Sequence, residues 1–475
     1  MLAPERLAPD FRNVPGVLIY SGSIVGDATA FRNSVAAAVG NRRVLSALAE
    51  AFGQAYQPPL AVPALRIEDM LQNPRALGRA VRTLCDAPVA VFDGSEETPD
   101  LMFLLGVRAV VRRGVTVVVH VGKMDAAAWQ KVPFNLRELR LVAISDRGNV
   151  QDAEPAIREA LAEGLKQYTR RPSHYADLPA FEPLRKLGGH KDDYIPRTPQ
   201  AEVLVLCTFD DSYSEKCWPE LQRAIRNHWT PDDEGVGPAR RVVDLQSPEL
   251  VGRRLYEAIR RDAECVVDLT LDRPNVYFEL GVRMVANDSG ARVVRCRDLV
   301  PRPGEEAPGI QQDSGRIDRL LGTRSYLISS DEPEQGVAHA LIPDTEWPGG
   351  SVSREYVYML AQTSVYLRQE AGGRNVETLL WSLMEEAIGQ DRNQNMVFPV
   401  LYAAQSRAVS LQVRRFAFDA LLAYIVFTGL LPDERRDGNK RAIALQQVEI
   451  MLEDLDLEPP EKDRLKALIA GWKQP

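Results

Sequence analysis

One segment of this chain is written twice. Asp93, five intervening residues and Pro99-Asp100-Leu101-Met102-Phe103-Leu104-Leu105-Gly106-Val107-Arg108 fall without a gap on Asp268, five residues and Pro274-Asn275-Val276-Tyr277-Phe278-Glu279-Leu280-Gly281-Val282-Arg283. Asp, Pro, Phe, Leu, Gly, Val and Arg recur at one fixed offset, the signature of an internal repeat. Whatever fold the first copy adopts, the second is expected to share it. The copies differ where it matters for chemistry, because the second holds Glu279 and Asn275 where the first holds Leu104 and Asp100.

The flanking pattern gives the fold class. Val17 to Tyr20 is a short apolar run, followed by a turn at Ser21-Gly22-Ser23 and a helical pattern from about Thr29 to Val39. Pro88 to Phe92 forms a second run, Asp100 to Arg113 a helix, and Val115 to Val121 the continuous β-branched run of a strand buried on both faces. The alternation restarts with strand Val203–Leu206, helix Trp218–His228, helix Glu249–Arg261, strand Cys265–Val267, helix Pro274–Ala286 and strand Ala291–Val294. Such βα alternation predicts two duplicated, doubly wound, flavodoxin-like α/β domains built on parallel sheets. They are expected over 1–166 and 201–345, joined by a linker over 167–200 that is rich in Pro, Gly, His and charge. From about Ser351 strand signals cease, and helical patterns at Val376–Ile388, Ser410–Phe427, Lys440–Leu455 and Glu461–Trp472 predict an all-α C-terminal domain over 346–475.

Composition narrows the classes of partner. A net charge of −8 supplies no broad positive field for nucleic acid or anionic membrane, so neither is expected as a partner. The five cysteines form no CxxC pair, which fits a reducing compartment. The opening MLAPERLAPDFRN lacks the basic and apolar regions of a secretory signal, and the most apolar stretch, Phe416 to Leu431, is interrupted by Asp419. A cytoplasmic protein is the expectation. No metal is expected, since Cys/His ligand spacing is lacking, and no GxxxxGK[ST] or HExxH motif occurs. Arg295, Arg297 and Arg302 follow a strand and have the guanidinium chemistry to meet phosphates, with a solvated loop as the blander account. Asp437-Gly438-Asn439-Lys440-Arg441 is similar to the anion-binding core of the Fic/Doc family, but Asp433 stands where that family needs its histidine, so a capped helix start is expected.

In open parallel sheets ligands bind beyond the carboxyl ends of the strands. Asp268 sits at such an end, and Pro274 suits the first turn of the helix that follows. Asn275 and Glu279, four apart, share one face near the positive end of that helix, with Asp268 and Asp272 on the approach loop. The competing structural accounts are a surface or ion-paired Glu279, a capping role for Asp268, Asp210 and Asp211, and a core position for Tyr213.

CVVDLTLDRPNVYFELGVRMV resembles the strand-loop-helix signature of the nucleoside 2-deoxyribosyltransferase-like and Toll/interleukin-receptor-like (TIR-like) proteins of bacteria, and VLVLCTFDDSYSEKCWPELQRAI is similar to their first strand, loop and helix. The resemblance implies cleavage of the N-glycosidic bond of NAD, a nucleoside or a nucleotide, taken as substrate and with no further cofactor. It puts Glu279 in the catalytic position, Phe209, Asp210, Asp211 and Tyr213 along the pocket, and Asp268, Asp272 and Asn275 around the ribose. It also implies a degenerate first module, and a hydrolase effector of antiviral (anti-phage) defence that forms a homo-oligomer and meets a protein trigger or partner through its helical domain. The alternatives are a nucleotide-binding sensor without turnover and an interaction scaffold.

Overall fold

A computed structural model describes residues 16–170 and 203–341, apart from breaks of which 230–238, 242–254 and 300–313 are the longest, together with 459–472 and a few isolated positions before it. The chain divides into two compact units, Phe11–Tyr358 and a second one comprising Met1–Asp10 with Met359–Pro475. Both α/β modules lie in the first unit.

The first module runs β1 (Gly16–Tyr20), α1 (Ala28–Val39), α2 (Arg42–Phe52), β2 (Ala64–Arg66), α3 (Ile67–Met70), α4 (Pro74–Asp86), β3 (Val89–Asp93), α5 (Pro99–Val111), β4 (Val115–Val121), α6 (Ala126–Lys131), α7 (Phe134–Arg137), β5 (Arg140–Ile144) and α8 (Val150–Arg170). Its five strands are all parallel, in the order β2-β1-β3-β4-β5. The second module runs β6 (Val203–Leu206), α9 (Asp211–Trp229), β7 (Arg240–Arg241), β8 (Glu264–Asp268), a 3-10 turn (Thr270–Asp272), α10 (Pro274–Ala286), β9 (Arg292–Cys296), α11 (Ser314–Leu321), β10 (Arg324–Tyr326) and α12 (Pro333–Leu341). Read from the other edge, its parallel sheet β7-β6-β8-β9-β10 has the same strand order as the first. Both are therefore five-stranded parallel sheets of the doubly wound order, and the repeat seen in sequence is a repeat of topology.

The central strands carry the sheets. Val89, Val91, Val115, Val117, Val203, Val205 and Val266 are buried, each contributing roughly 1.5–3 kcal/mol on leaving water. The edge strands β7 and β10 are short and polar, which also discourages edge-to-edge pairing.

The two copies meet through their duplicated helices. A Cβ built on Gly106 of α5 would lie 2.1 Å from the Phe278 carbonyl oxygen, and one on Gly281 of α10 would lie 2.2 Å from that of Phe103. The closeness is reciprocal, as in an isologous dimer, but within one chain. Only glycine permits backbones this near, which explains its retention at both positions.

The repeated arginines also keep one role. Buried Arg108 donates to the carbonyls of Leu84 and Ala87 at the end of α4 and to Thr116 of β4, while buried Arg283 donates to Ile259 O (2.6 Å) and Gly290 O (2.6 Å). Each ties a preceding helical segment to the start of the next strand, its charge offset by backbone carbonyls.

Several sequence expectations need adjustment. α9 begins at Asp211, well before Trp218, because Asp210 caps it (below), and α8 continues to Arg170, into the span expected to be linker. The rest of the linker, most of Glu249–Arg261, Arg302, Phe416–Leu431, the Asp437–Arg441 motif and the helices expected at Val376–Ile388, Ser410–Phe427 and Lys440–Leu455 lie outside the described residues, isolated positions apart. The last expected helix is present as α13 (Pro459–Trp472). No helix among the described residues is long and apolar enough to cross a membrane.

Candidate functional site

The carboxyl ends of β6 and β8, the adjacent strands where the order reverses, gather most of the residues singled out from sequence. They divide into an interior cluster, a loop brace and a carboxyl facing the other module.

Asp268 is the interior cluster's centre. It has no exposed surface; Tyr213 donates to its Oδ2 at 2.8 Å, Tyr326 donates to the same oxygen, and the Thr270 amide (3.0 Å) and hydroxyl donate to Oδ1. Burial pushes its pKa up, opposed by the bonds from Thr270 and Tyr326. Tyr213 is equally buried and belongs to the core beneath the sheet. In this arrangement the ribose contact implied for Asp268 and the pocket-wall position implied for Tyr213 are both replaced by protein-protein bonds. Such a satisfied network locks the loops above the strands.

Asp210 caps α9. Its Oδ1 accepts from the Ser212 amide at 2.9 Å and from the Ser212 hydroxyl, and Oδ2 pairs with Arg273 at 3.1 Å; the Ser212 hydroxyl is the chief reason its carboxyl sits below the usual range. Asp211 is exposed on the first turn. Phe209, 53% exposed, is the loop residue that offers an apolar face to a ligand.

Asp272 braces the approach loop. Leu271 and Asp272 hold φ of 66° and 47°, the left-handed region that costs a non-glycine residue about 1–2 kcal/mol. What holds the loop there is Arg295, paired with Asp272 at 2.7 Å and Asp318 at 3.1 Å, and the Tyr277 hydroxyl, which donates to Asp272. Arg295 is thus occupied by two carboxylates.

Glu279 stands in the second turn of α10. The residue keeps some accessible surface, yet burial of its carboxyl pushes the pKa up to about 8, a rise moderated by a hydrogen bond from the Asn135 side chain. Asn135 belongs to α7 of the first module. Its amide N donates to Asn275 Oδ1 (3.3 Å), its Nδ2 to Asn275 O (3.4 Å), and its Oδ1 accepts from the Tyr256 hydroxyl at 2.7 Å. Asn275 is thereby turned towards the first module. Among the described residues no arginine pairs with Glu279.

The other crevice mirrors these contacts with different chemistry. Arg316 of α11 pairs with Asp100 of α5 at 3.2 Å, as Asn135 of α7 meets Asn275 of α10. Leu104 and Val81, both buried, occupy the places of Glu279 and Tyr256.

Asn135, Tyr256 and Arg316 were not evident from sequence. Asn135 is 140 positions from Asn275 and belongs to no motif; its only signal is a polar residue inside the apolar stretch Val132 to Leu136.

A carboxyl that titrates near 8 is mostly protonated at neutral pH and able to give a proton to a departing base, while its ionised form can attack or stabilise an oxocarbenium-like sugar. No group of acidic, His and Cys side chains suited to a metal occurs among the described residues. No protein-family model and no curated protein matches the chain.

Proposed function

We propose that the chain is an N-glycosidase that cleaves the base–sugar bond of NAD, a nucleoside or a nucleotide, with Glu279 as its catalytic residue. What supports the reading is the place of Glu279, on the second turn of a helix that starts just beyond the end of β8, with burial raising its carboxyl's pKa to about 8. With a neutral purine leaving group, the protonated acid supplies the proton that the base needs. With the cationic nicotinamide of NAD, the positive charge favours the ionised carboxylate and no proton is required. Phe209 provides an open aromatic face for a base. The family resemblance, which covers about residues 200–298 well and 16–122 weakly, extends this to a hydrolase of cytoplasmic anti-phage defence, with residues 346–475 as a helical domain for homo-oligomeric assembly or for a protein trigger.

One observation favours a second reading, a nucleotide sensor without turnover: the first copy keeps the same fold with buried Leu104 in place of the carboxyl. The two are separated by incubating the purified chain with NAD, nucleosides and nucleotides and following released base by chromatography. The enzyme reading expects release that drops by about 100-fold or more in Glu279→Gln, the scale of a lost acid-base group. Binding without product supports the sensor, and undiminished release by Glu279→Gln removes Glu279 from the mechanism.

A further inference from the structure

Two loops of the second module follow neighbouring strands, one leading from β6 into α9 and one from β8 into α10, and an ion pair joins them. Arg273 Nη2 donates to Asp210 Oδ2 at 3.1 Å. In the sheet Leu206 of β6 is level with Val267 of β8, so the pair lies beyond the adjacent strand ends where open parallel sheets take their ligands. Asp210 keeps its other oxygen on the Ser212 amide and hydroxyl, so the cap of α9 does not depend on Arg273. The Arg273 side chain is 31% exposed and Phe209, next to Asp210, is more than half exposed, which leaves this edge open to solvent.

Other arginines along this edge are committed elsewhere. Arg295 is held by Asp272 and Asp318, and Arg241 lies over the Trp218 ring, 4.5 Å from its centroid, while donating to Ser214. Arg297 follows β9, one strand farther from β6, and donates to Ser325. Arg273 differs. A guanidinium carries five N–H donors, and among the described residues the side-chain partner of Arg273 is Asp210, met through one nitrogen. Of the carboxylates that precede α10, Asp272 is paired with Arg295 and Asp268 is enclosed by its four donors, so neither takes up the remaining donors of Arg273.

We propose that Arg273 is a specificity-determining residue of this site and takes a phosphate of the substrate, with Asp210 orienting its guanidinium from the neighbouring loop. The planar fork of donors matches phosphate oxygens two at a time, and an arginine held at one nitrogen by a carboxylate presents its other donors in a fixed direction. Glu279 follows six residues later, about 9 Å along the helix axis. In a nucleoside 5′-phosphate the carbon that carries the phosphate arm and the anomeric carbon flank the ring oxygen on opposite sides. A phosphate at Arg273 therefore directs the base–sugar bond away from the loop, towards the turn that carries Glu279. The substrate class is a nucleotide or a dinucleotide, and an unphosphorylated nucleoside is disfavoured. The inference deepens the glycosidase reading, on which it rests for the bond that is cleaved but not for the phosphate that is recognised.

The test separates binding from turnover. Full-length Glu279→Gln is titrated by calorimetry with each common nucleoside, its 5′-monophosphate and NAD, alone and combined with Arg273→Ala, Arg273→Lys or Arg223→Ala. A phosphorylated ligand is expected to bind about 10- to 100-fold more tightly than its nucleoside, the scale of a charge-assisted hydrogen bond. Arg273→Ala is expected to erase that margin and leave nucleoside binding unchanged. Arg273→Lys should keep part of it, since the charge remains and the fork is lost, and Arg223→Ala, which breaks an exposed pair with Glu220 on α9, should keep all of it. A margin carried by a monophosphate assigns a single phosphate to Arg273, and one carried by NAD alone assigns the pyrophosphate. No margin in the parent, a margin that survives Arg273→Ala, or an equal loss in Arg223→Ala overturns the proposal. Base release is followed with the same ligands in chains that keep Glu279: a margin lost with Arg273 but no release by the unaltered chain sinks the glycosidase reading and leaves the phosphate site standing.

Discussion

Glu279→Gln should stabilise the protein, and increasingly so as pH rises. In the folded chain the carboxyl titrates near 8, in the unfolded chain near its ordinary 4.5. Between those values the folded form retains a proton that the unfolded form gives up, so the unfolded state binds fewer protons and stability falls with rising pH. The loss begins near 4.5 and is complete above about 8. At about 1.36 kcal/mol per pH unit, the gap between the two values sets an upper limit of about 5 kcal/mol, which the residue's remaining exposure reduces. Glutamine has the same shape, still accepts from Asn135 and does not ionise. Denaturant unfolding of the two proteins should therefore give nearly equal stability around pH 4, an advantage for the variant of up to roughly 3 kcal/mol around pH 7, and up to about 5 kcal/mol around pH 9. A stability difference that stays constant across this range would show that the carboxyl is not held in a poorly solvated site, and with it would go the basis for reading Glu279 as a tuned acid.

The glycine contact between modules gives a prediction that acts at a distance. Gly106→Ala places a methyl 2.1 Å from the Phe278 carbonyl oxygen, one residue before Glu279, so it should cost about 3 kcal/mol or more by forcing α10 away, and should reduce base release although it lies in the module without the carboxylate. Gly281→Ala should match it in a thermal melt, the clash being reciprocal, and tolerance of either would contradict the close crossing. Asp268→Leu leaves the Tyr213, Tyr326 and Thr270 hydroxyls facing an apolar side chain and should destabilise by roughly 3–5 kcal/mol, whereas Asp268→Asn, retaining one acceptor oxygen, should cost less; equal losses in denaturant would argue against the four-donor cluster.

What could be read from sequence was whatever repeats within a short window. β4 and α10 appear with the bounds that periodicity predicts, because a β-branched run and a helix opened by proline each carry their signal locally. α4 carried one too, Asn73 accepting from the Ala76 amide and followed by Pro74 at the helix start. The edge strands β2, β7 and β10 are a few residues each and owe their existence to the neighbour they pair with, which no window reveals. The same division holds at the site. Glu279 and its frame were legible from the duplication, whereas Asn135 and Tyr256 were not, since each matters only through a partner more than a hundred positions away. For Asp268 and Tyr213 the sequence left a structural role open beside the ligand contact, because a residue at a strand end can face the crevice or the core, and a motif does not say which.

The comparison of the two copies also bears on what the duplication did. Residues governed by backbone approach, the paired glycines and the carbonyl-capping arginines, are identical, because either copy would lose its packing if they changed. Residues that line the two crevices are free of that constraint, and there the copies have diverged at matching positions. A buried carboxyl with an amide for company is an expensive arrangement for stability, as the pH argument shows, and leucine in its place costs nothing. Fold stability alone would therefore favour Leu104's solution in both copies. That the second copy keeps the costly carboxyl is the strongest physical reason to look for chemistry there.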